Sequence, residues 1–241
     1  DNLEPRDYLI NARLEGDNRN SLGVARLVDV AIPDGVRVGV VQSYDNTFMT
    51  VLEKLGIPHE ALSIEDFSQP KLDTFSTILV DIRAYLVRPD LAANNLALLD
   101  YVARGGTLLV NYQKTEEWKS VYAPYPITLS RARVTREDAP VKLLVPDHAL
   151  FTTPNAIQLE DWDGWIQERG LYFLSEWDGA YTPLIEVNDP GESNPPGALL
   201  IAKHGEGNYV YNALVLYRQI RELHPGALRL FTNLIALGKP R

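Results

Sequence analysis

The stretch from Val36 to Asn111 constrains the fold most, because apolar strand-like runs alternate there with helical periodicity. "VRVGVV" (36–41) is rich in valine and lacks polar alternation, as a strand covered on both faces does. In "SYDNTFMTVLEKLG", Phe48, Val51, Leu52 and Leu55 recur at helical spacing; Asp45 or Asn46 can cap the start and Gly56 the end. "HEALSI" reads as a second strand and "STILVDI" (76–82) as a third. "LAANNLALLDYVARGG" follows as a helix, with Leu96, Leu99, Val102 and Ala103 as its expected apolar face, and "TLLVNY" closes the series as a buried strand. This rhythm implies a parallel sheet with right-handed crossovers, an α/β fold flanked by helices.

Beyond Gln113 the pattern changes. "ITLSRARV", "PVKLLV" and "TPLIEV" read as short strands, and "GALLIAKHGEGNYVYNAL" as a hairpin turning at Gly205-Glu206-Gly207, so antiparallel strands join the sheet in the C-terminal half. "HPGALRLFTNLIALG" is a closing helix with Pro225 in its first turn and Leu228, Phe231, Leu234 and Ile235 as its stripe. Residues 188–197, "NDPGESNPPG", read as a flexible loop. Residues 1–34 are expected to be irregular, apart from an edge strand in "GVARLVDVAIP", and residues 35–241 to form one domain.

Composition narrows the chemistry. A net charge of −9 works against binding a phosphate backbone, and no apolar run approaches the length of a membrane span. With no cysteine, disulfides, thiolate metal sites and cysteine nucleophiles are excluded. There is no G-x-S-x-G elbow and no Walker loop. His59, His148, His204 and His224 are scattered, and "DWDG" (161–164) lacks the distal glutamate of a calcium loop, so neither metal nor cofactor is expected.

Ligands of open parallel sheets sit beyond the carboxyl ends of the strands. Those ends offer Ser43, Tyr44 and Asp45, then Asp81 and Arg83, then Asn111, Tyr112 and Gln113. Asp45 reads as a site carboxylate or as a helix cap, and Asp81 with Arg83 as a substrate clamp or as a local ion pair. Trp162, Trp165, Tyr172, Phe173, Trp177 and Tyr181 crowd one segment with Glu168 and Arg169 among them. They read as a sugar-stacking platform with polar partners for hydroxyls, or as ordinary core. The candidate ligand-binding set is Asp45, Arg83, Tyr112, Gln113, Trp162, Trp165, Glu168 and Arg169.

The phrases "VRVGVV…YDNTF…LGI", "FSTILVDIRAY" and "LLDYVARGGTLLVNYQ" resemble the class I glutamine amidotransferase-like fold, in the branch of ThuA-like and β-galactosidase trimerisation domains. "DHALFTTPNAIQLEDWDGWIQERGLYF", "WDGAYTPLIEVNDPGE" and "YRQIRELHPGALRLFTNLIAL" are similar to the C-terminal extension of some bacterial PIG-L (LmbE-like) deacetylases. The amidotransferases place a cysteine just after the strand that "TLLVNY" matches; here that position holds Tyr112 and Gln113, a vacated nucleophile site. The zinc motif of the deacetylases has no counterpart. The resemblance therefore implies a non-catalytic accessory domain, periplasmic or secreted, that binds or positions a saccharide or docks on a deacetylase domain. A hydrolase using carboxylates such as Asp45, Glu168 or Asp178, and a structural or homo-oligomerising domain, stand as alternatives.

Overall fold

The computed structural model describes residues 4–13, 15–16, 19–193 and 195–238. Its centre is a seven-stranded sheet. β1 (Arg6–Arg13) and β2 (Asn20–Leu27) lie outside it as a separate antiparallel hairpin. β3 (Val38–Val41), α1 (Thr47–Lys54), β4 (His59–Ala61), α2 (Gln69–Leu72) and β5 (Thr77–Val80) form the first βα units. α3 (Ala84–Val87), α4 (Pro89–Ala93) and α5 (Asn95–Ala103) carry the chain over to β6 (Thr107–Asn111). Strands β3, β5 and β6 are buried at every position, as their unbroken apolar runs require.

Short strands follow: β7 (Ile127–Leu129), β8 (Arg133–Val134) and β9 (Val141–Leu143), then α6 (Ala149–Thr152). β10 (Gly170–Leu171), β11 (Leu174–Trp177), β12 (Tyr181–Pro183) and β13 (Ile185–Val187) pair outward in small antiparallel sheets, except β12, which joins the main sheet. β14 (Leu199–His204), β15 (Gly207–Asn212), α7 (Leu216–Arg221) and α8 (Pro225–Ala236) complete the chain. The main sheet has the order β12-β14-β15-β6-β5-β3-β4, parallel from β15 to β4 and antiparallel at β14 and β12. It is thus a mostly parallel α/β sheet with antiparallel additions from the C-terminal half, as its pattern predicts.

The β14–β15 hairpin turns through Gly205 and Glu206, with Gly205 at φ 56°. A Cβ on Gly207 would stand 2.1 Å from the Val102 carbonyl oxygen, so "GEGNYV" is a hairpin turn pressed against the end of α5. In α8 the expected stripe is buried, and the His224 ring caps the helix by accepting the Ala227 N–H at 3.3 Å.

Two expectations need correction. Residues 6–13 and 20–27 are not irregular: they pair as the β1–β2 hairpin, and the edge strand begins earlier than "GVARLVDVAIP" suggests. Its alternation is hidden because both faces are apolar: Leu9, Leu22 and Val24 lie on one, and Tyr8, Ile10 and Leu27 on the other. The buried face of α5 is Asn95, Leu98, Tyr101 and Val102, whereas Leu96 is exposed. The turn at Asn94 sets the phase of the helix, and the Tyr101 hydroxyl reaches the Phe75 carbonyl at 3.1 Å. The loop expected over 188–197 links β13 to β14; residue 194 lies outside the described residues.

Candidate functional site

β3, β5, β6 and β15 all deliver their carboxyl ends to the same side of the sheet. Asn111 and Asn212 end neighbouring strands. Asn111 Nδ2 donates to the Val80 carbonyl at 3.1 Å and its Oδ1 accepts from Asn212 Nδ2 at 3.0 Å, bridging three strands.

Gln113 lies wholly buried in the next turn. Its Nε2 donates to the carbonyls of Asp81 (2.9 Å) and Asn111 (2.8 Å), and its Oε1 accepts the Tyr85 N–H at 3.2 Å. Its own N–H goes to the Tyr211 hydroxyl at 3.1 Å. Both amide donors of the side chain are used and its oxygen is engaged, so no donor is left for a ligand.

Tyr112 is buried as well, its ring 6.0 Å from Tyr172 and 5.9 Å from Tyr217. Burial, then the hydrogen-bonded Tyr217 hydroxyl, hold its phenol well above the ordinary range, which disfavours the phenolate at neutral pH. The chain also makes no positive-φ turn at Tyr112. Among the described residues the non-glycine positive-φ positions are Arg83, Gln167, Glu168, Tyr172 and Leu223. The strained geometry of a nucleophile elbow is therefore absent after β6.

Of the expected ionisable residues, Asp45, Arg83 and Glu168 are each held by an oppositely charged side chain. Asp45, one residue ahead of the Asn46 N-cap of α1, accepts the Thr47 N–H at 2.7 Å, while its other oxygen takes the Arg221 guanidinium, which also donates to the Thr47 hydroxyl at 2.8 Å. Asp45 thus both holds the helix start and serves as an ion-pair partner. Arg83, at φ 53°, donates Nε and Nη2 to the buried carboxylate of Glu117 at 2.8 and 2.5 Å. Glu168 accepts from Arg218 at 2.7 Å, and Arg218 Nε donates to the Tyr217 hydroxyl at 2.9 Å. Arg83 and Asp81 do not form a clamp.

Asp81 has no cationic partner among the described residues. Burial pushes its pKa up to about 6, opposed by hydrogen bonds from the Ser43 hydroxyl (2.7 Å), the Ser43 N–H (3.0 Å) and the Ile82 N–H (2.7 Å). Those three donors occupy it as a turn-former between β3 and β5.

Trp162 and Trp165 of the aromatic platform are core. Trp162 and Trp165 are 3% and 2% exposed, with ring centres 5.1 Å apart, and Trp165 Nε1 donates to the Asp161 carbonyl at 3.0 Å. Arg169 is buried beside them, donating to the carbonyls of Ala139 (3.0 Å) and Trp162. The rings pack on each other, on His224 at the start of α8 and under the Arg169 guanidinium, so these three positions form no open stacking surface. Glu117, Arg218 and Arg221, which neutralise the expected site residues, lie 34 to 176 positions away from their partners, beyond the reach of local patterning.

Open volume lies elsewhere. A groove of about 470 Å³ runs between the hairpin base, α1 and α7, lined by Arg26, Val51, Leu55, Arg221 and Leu223. A cleft of about 530 Å³ lies beside the β6 exit, and one of about 450 Å³ beside Asn155 and Arg229. Among the described residues no three His, Asp or Glu side chains converge as a metal site, and no helix is long and apolar enough to cross a membrane.

No family model matches the sequence, and neither does any curated protein. Solved structures do. The chain is similar to Cytoplasmic Protein STM1381 from Salmonella typhimurium LT2 at 13% identity and TM-score 0.54, covering 98% of this chain and 97% of that one. It is similar to a protein assigned as a GMP synthase component from Thermoplasma acidophilum at 10% identity and TM-score 0.53, covering 84% and 93%. The β-galactosidase from Bacillus circulans sp. alkalophilus matches at 16% identity and TM-score 0.51, over 83% of this chain and 30% of that one. These likenesses establish the fold alone: a mostly parallel, flavodoxin-like α/β sheet flanked by helices.

Proposed function

We propose that this chain is a non-catalytic accessory domain of a PIG-L-type amino-sugar deacetylase-like protein, and that it docks on its catalytic partner. The observation that carries the reading is the closed state of the strand ends: Gln113 commits its amide to three backbone groups, and Asp45, Arg83 and Glu168 are each held by an oppositely charged side chain. The carboxylate hydrolase is disfavoured by the same pairing. The PIG-L assignment rests on the sequence resemblance. The β-galactosidase match, over 30% of a longer glycan-acting enzyme, supports the idea of a domain carried by a larger protein. A saccharide could be positioned at the docked interface, without the buried tryptophans.

The β1–β2 hairpin supplies the docking element. Leu9 and Leu22 are 81% and 72% exposed, Val24 and Ile10 are also exposed, and an isolated two-stranded ribbon is marginal in water. Its two unpaired edges also favour a second reading, self-association through the arm. One experiment separates the two. The chain and its Leu9→Asp/Leu22→Asp variant are sedimented alone and with a separately produced PIG-L-type deacetylase domain. A heterocomplex lost in the variant supports docking; a dimer of the chain alone, lost in the variant, supports self-association. A monomer in both cases overturns the docking role.

A further inference from the structure

We propose that the cleft between the β6 exit and the β8–β10 ladder binds an anionic hexose, one carrying a phosphate ester or a carboxylate. This site lies beside the closed strand ends, is lined by no residue of the hairpin arm, and goes beyond the docking role. Its lining residues are Lys114, Glu116, Arg131, Arg133, Leu171 and Tyr172, around about 530 Å³, within the range of about 300–1,000 Å³ typical of small-molecule sites.

Three features specify the ligand. The first is charge. Three cations face one carboxylate in a chain whose net charge is −9, and among the described residues Lys114 and Arg133 form no ion pair, whereas Arg131 pairs with Glu116 at 2.6 Å. The two unpaired cations suit an anionic group. The second is the Arg131–Glu116 pair itself. A bare anion is repelled by Glu116, while a polyol offers that carboxylate hydroxyl donors and offers Arg131 acceptors. The third is Tyr172, half-buried, with its ring braced by Tyr112 at 6.0 Å and with Lys114 Nζ 5.9 Å from its centre. A phenol ring at the wall gives an apolar face for the C–H side of a sugar, next to the cation that takes its charge.

The frame is fixed. Leu171 stands opposite Arg133 in the antiparallel β8–β10 pair, so the Arg133 backbone is set by the ladder. The Phe173 N–H donates to the Ala132 carbonyl at 3.1 Å, and the Lys114 N–H is held by Glu117 at 3.3 Å. Tyr172 itself is kept at φ 58°, a conformation costly for a side chain of that size and one that clusters at ligand sites. The cleft also adjoins the carboxyl end of β6, the side of such sheets on which ligands bind.

The test is calorimetric titration at low salt with glucose 6-phosphate, glucuronate, glucose and inorganic phosphate, with melting curves confirming that each variant folds. Saturable binding of at least one sugar anion, about tenfold or more tighter than glucose or inorganic phosphate and weakened by added salt, is expected. Arg133→Glu and Lys114→Glu should each weaken it about tenfold or more, and Tyr172→Ala should weaken the sugar anion while leaving inorganic phosphate unchanged. The source of charge is read from which sugar anion binds. Failure of both sugar anions to bind overturns the proposal, as does a sugar anion indifferent to Arg133→Glu and Lys114→Glu in folded protein. Inorganic phosphate binding equally well reduces the cleft to an anion site and overturns the hexose assignment. Glucose binding equally well overturns the role of charge.

Discussion

The carboxyl ends of the strands and the N-terminal hairpin are opposites. At the strand ends nearly every polar group has an internal partner: Gln113, Asn111 and Asp81 are buried and hydrogen-bonded, and the surrounding carboxylates are salt-bridged. On the hairpin the apolar groups have no cover, and the Asp7–Arg26 pair at 2.6 Å with the Arg26 bond to the Glu222 carbonyl, also 2.6 Å, ties its base to the body. A fold that uses its strand ends for chemistry leaves polar groups there free to meet a substrate. This one has turned them onto its own backbone and has placed its uncovered apolar surface on a protruding ribbon. That difference is the observation on which the proposed docking role rests.

The comparison can be broken hardest at Gln113. Gln113→Leu removes the partners of the Asp81 and Asn111 carbonyls and of the Tyr85 N–H, and a loss of about 4 kcal/mol in urea-induced unfolding is expected. A loss under about 1 kcal/mol would mean that the strand ends do not form a closed network.

Asp81 gives the next effect. Its folded pKa of about 6 lies above the ordinary 3.8, so the folded state binds the proton more tightly. The stability this contributes is fully present below about pH 4 and is lost as pH rises through about 6, a change of about 3 kcal/mol. Asp81→Asn should flatten that interval when unfolding free energy is compared across it, and an unchanged pH profile would remove Asp81 as its cause.

A smaller effect is expected at Arg221, which is half exposed. Arg221→Ala leaves Asp45 with its bond to the Thr47 N–H, so a loss of about 1 kcal/mol follows, with helix α1 intact by circular dichroism. The smallest belongs to the arm. Leu9→Asp/Leu22→Asp should shift stability by no more than about 0.5 kcal/mol while lowering the binding of a hydrophobic dye. A large stability loss would show that the arm is already packed, and the contrast between the two regions would fail.

The sequence carries the central sheet well. Runs such as "STILVDI" and "TLLVNY" are buried on both faces and have no alternative periodicity, and the Gly205–Gly207 hairpin announces itself through residues that only a tight, crowded turn requires. It carries the site poorly. The order Asn111-Tyr112-Gln113 places no cysteine or serine after β6, but whether Gln113 faces a ligand or three backbone groups depends on contacts 2 to 32 residues away. Trp162 and Trp165 look the same in sequence whether they stack on a sugar or on each other, since burial is decided by α8 and the covering loops. The hairpin escapes notice for the reverse reason: apolar residues on both faces erase the alternation that would reveal a strand pair.

The most direct test of the central claim is a product assay on the isolated chain. N-acetylglucosamine, short chitin oligomers and glutamine are incubated with the wild-type protein and with Asp81→Asn, and acetate, reducing ends and ammonia are measured. Release no greater than the protein-free blank, for both proteins, is the expected result. Sustained release by the wild type that Asp81→Asn abolishes, in folded protein, would contradict the account and identify the strand ends as a working active site.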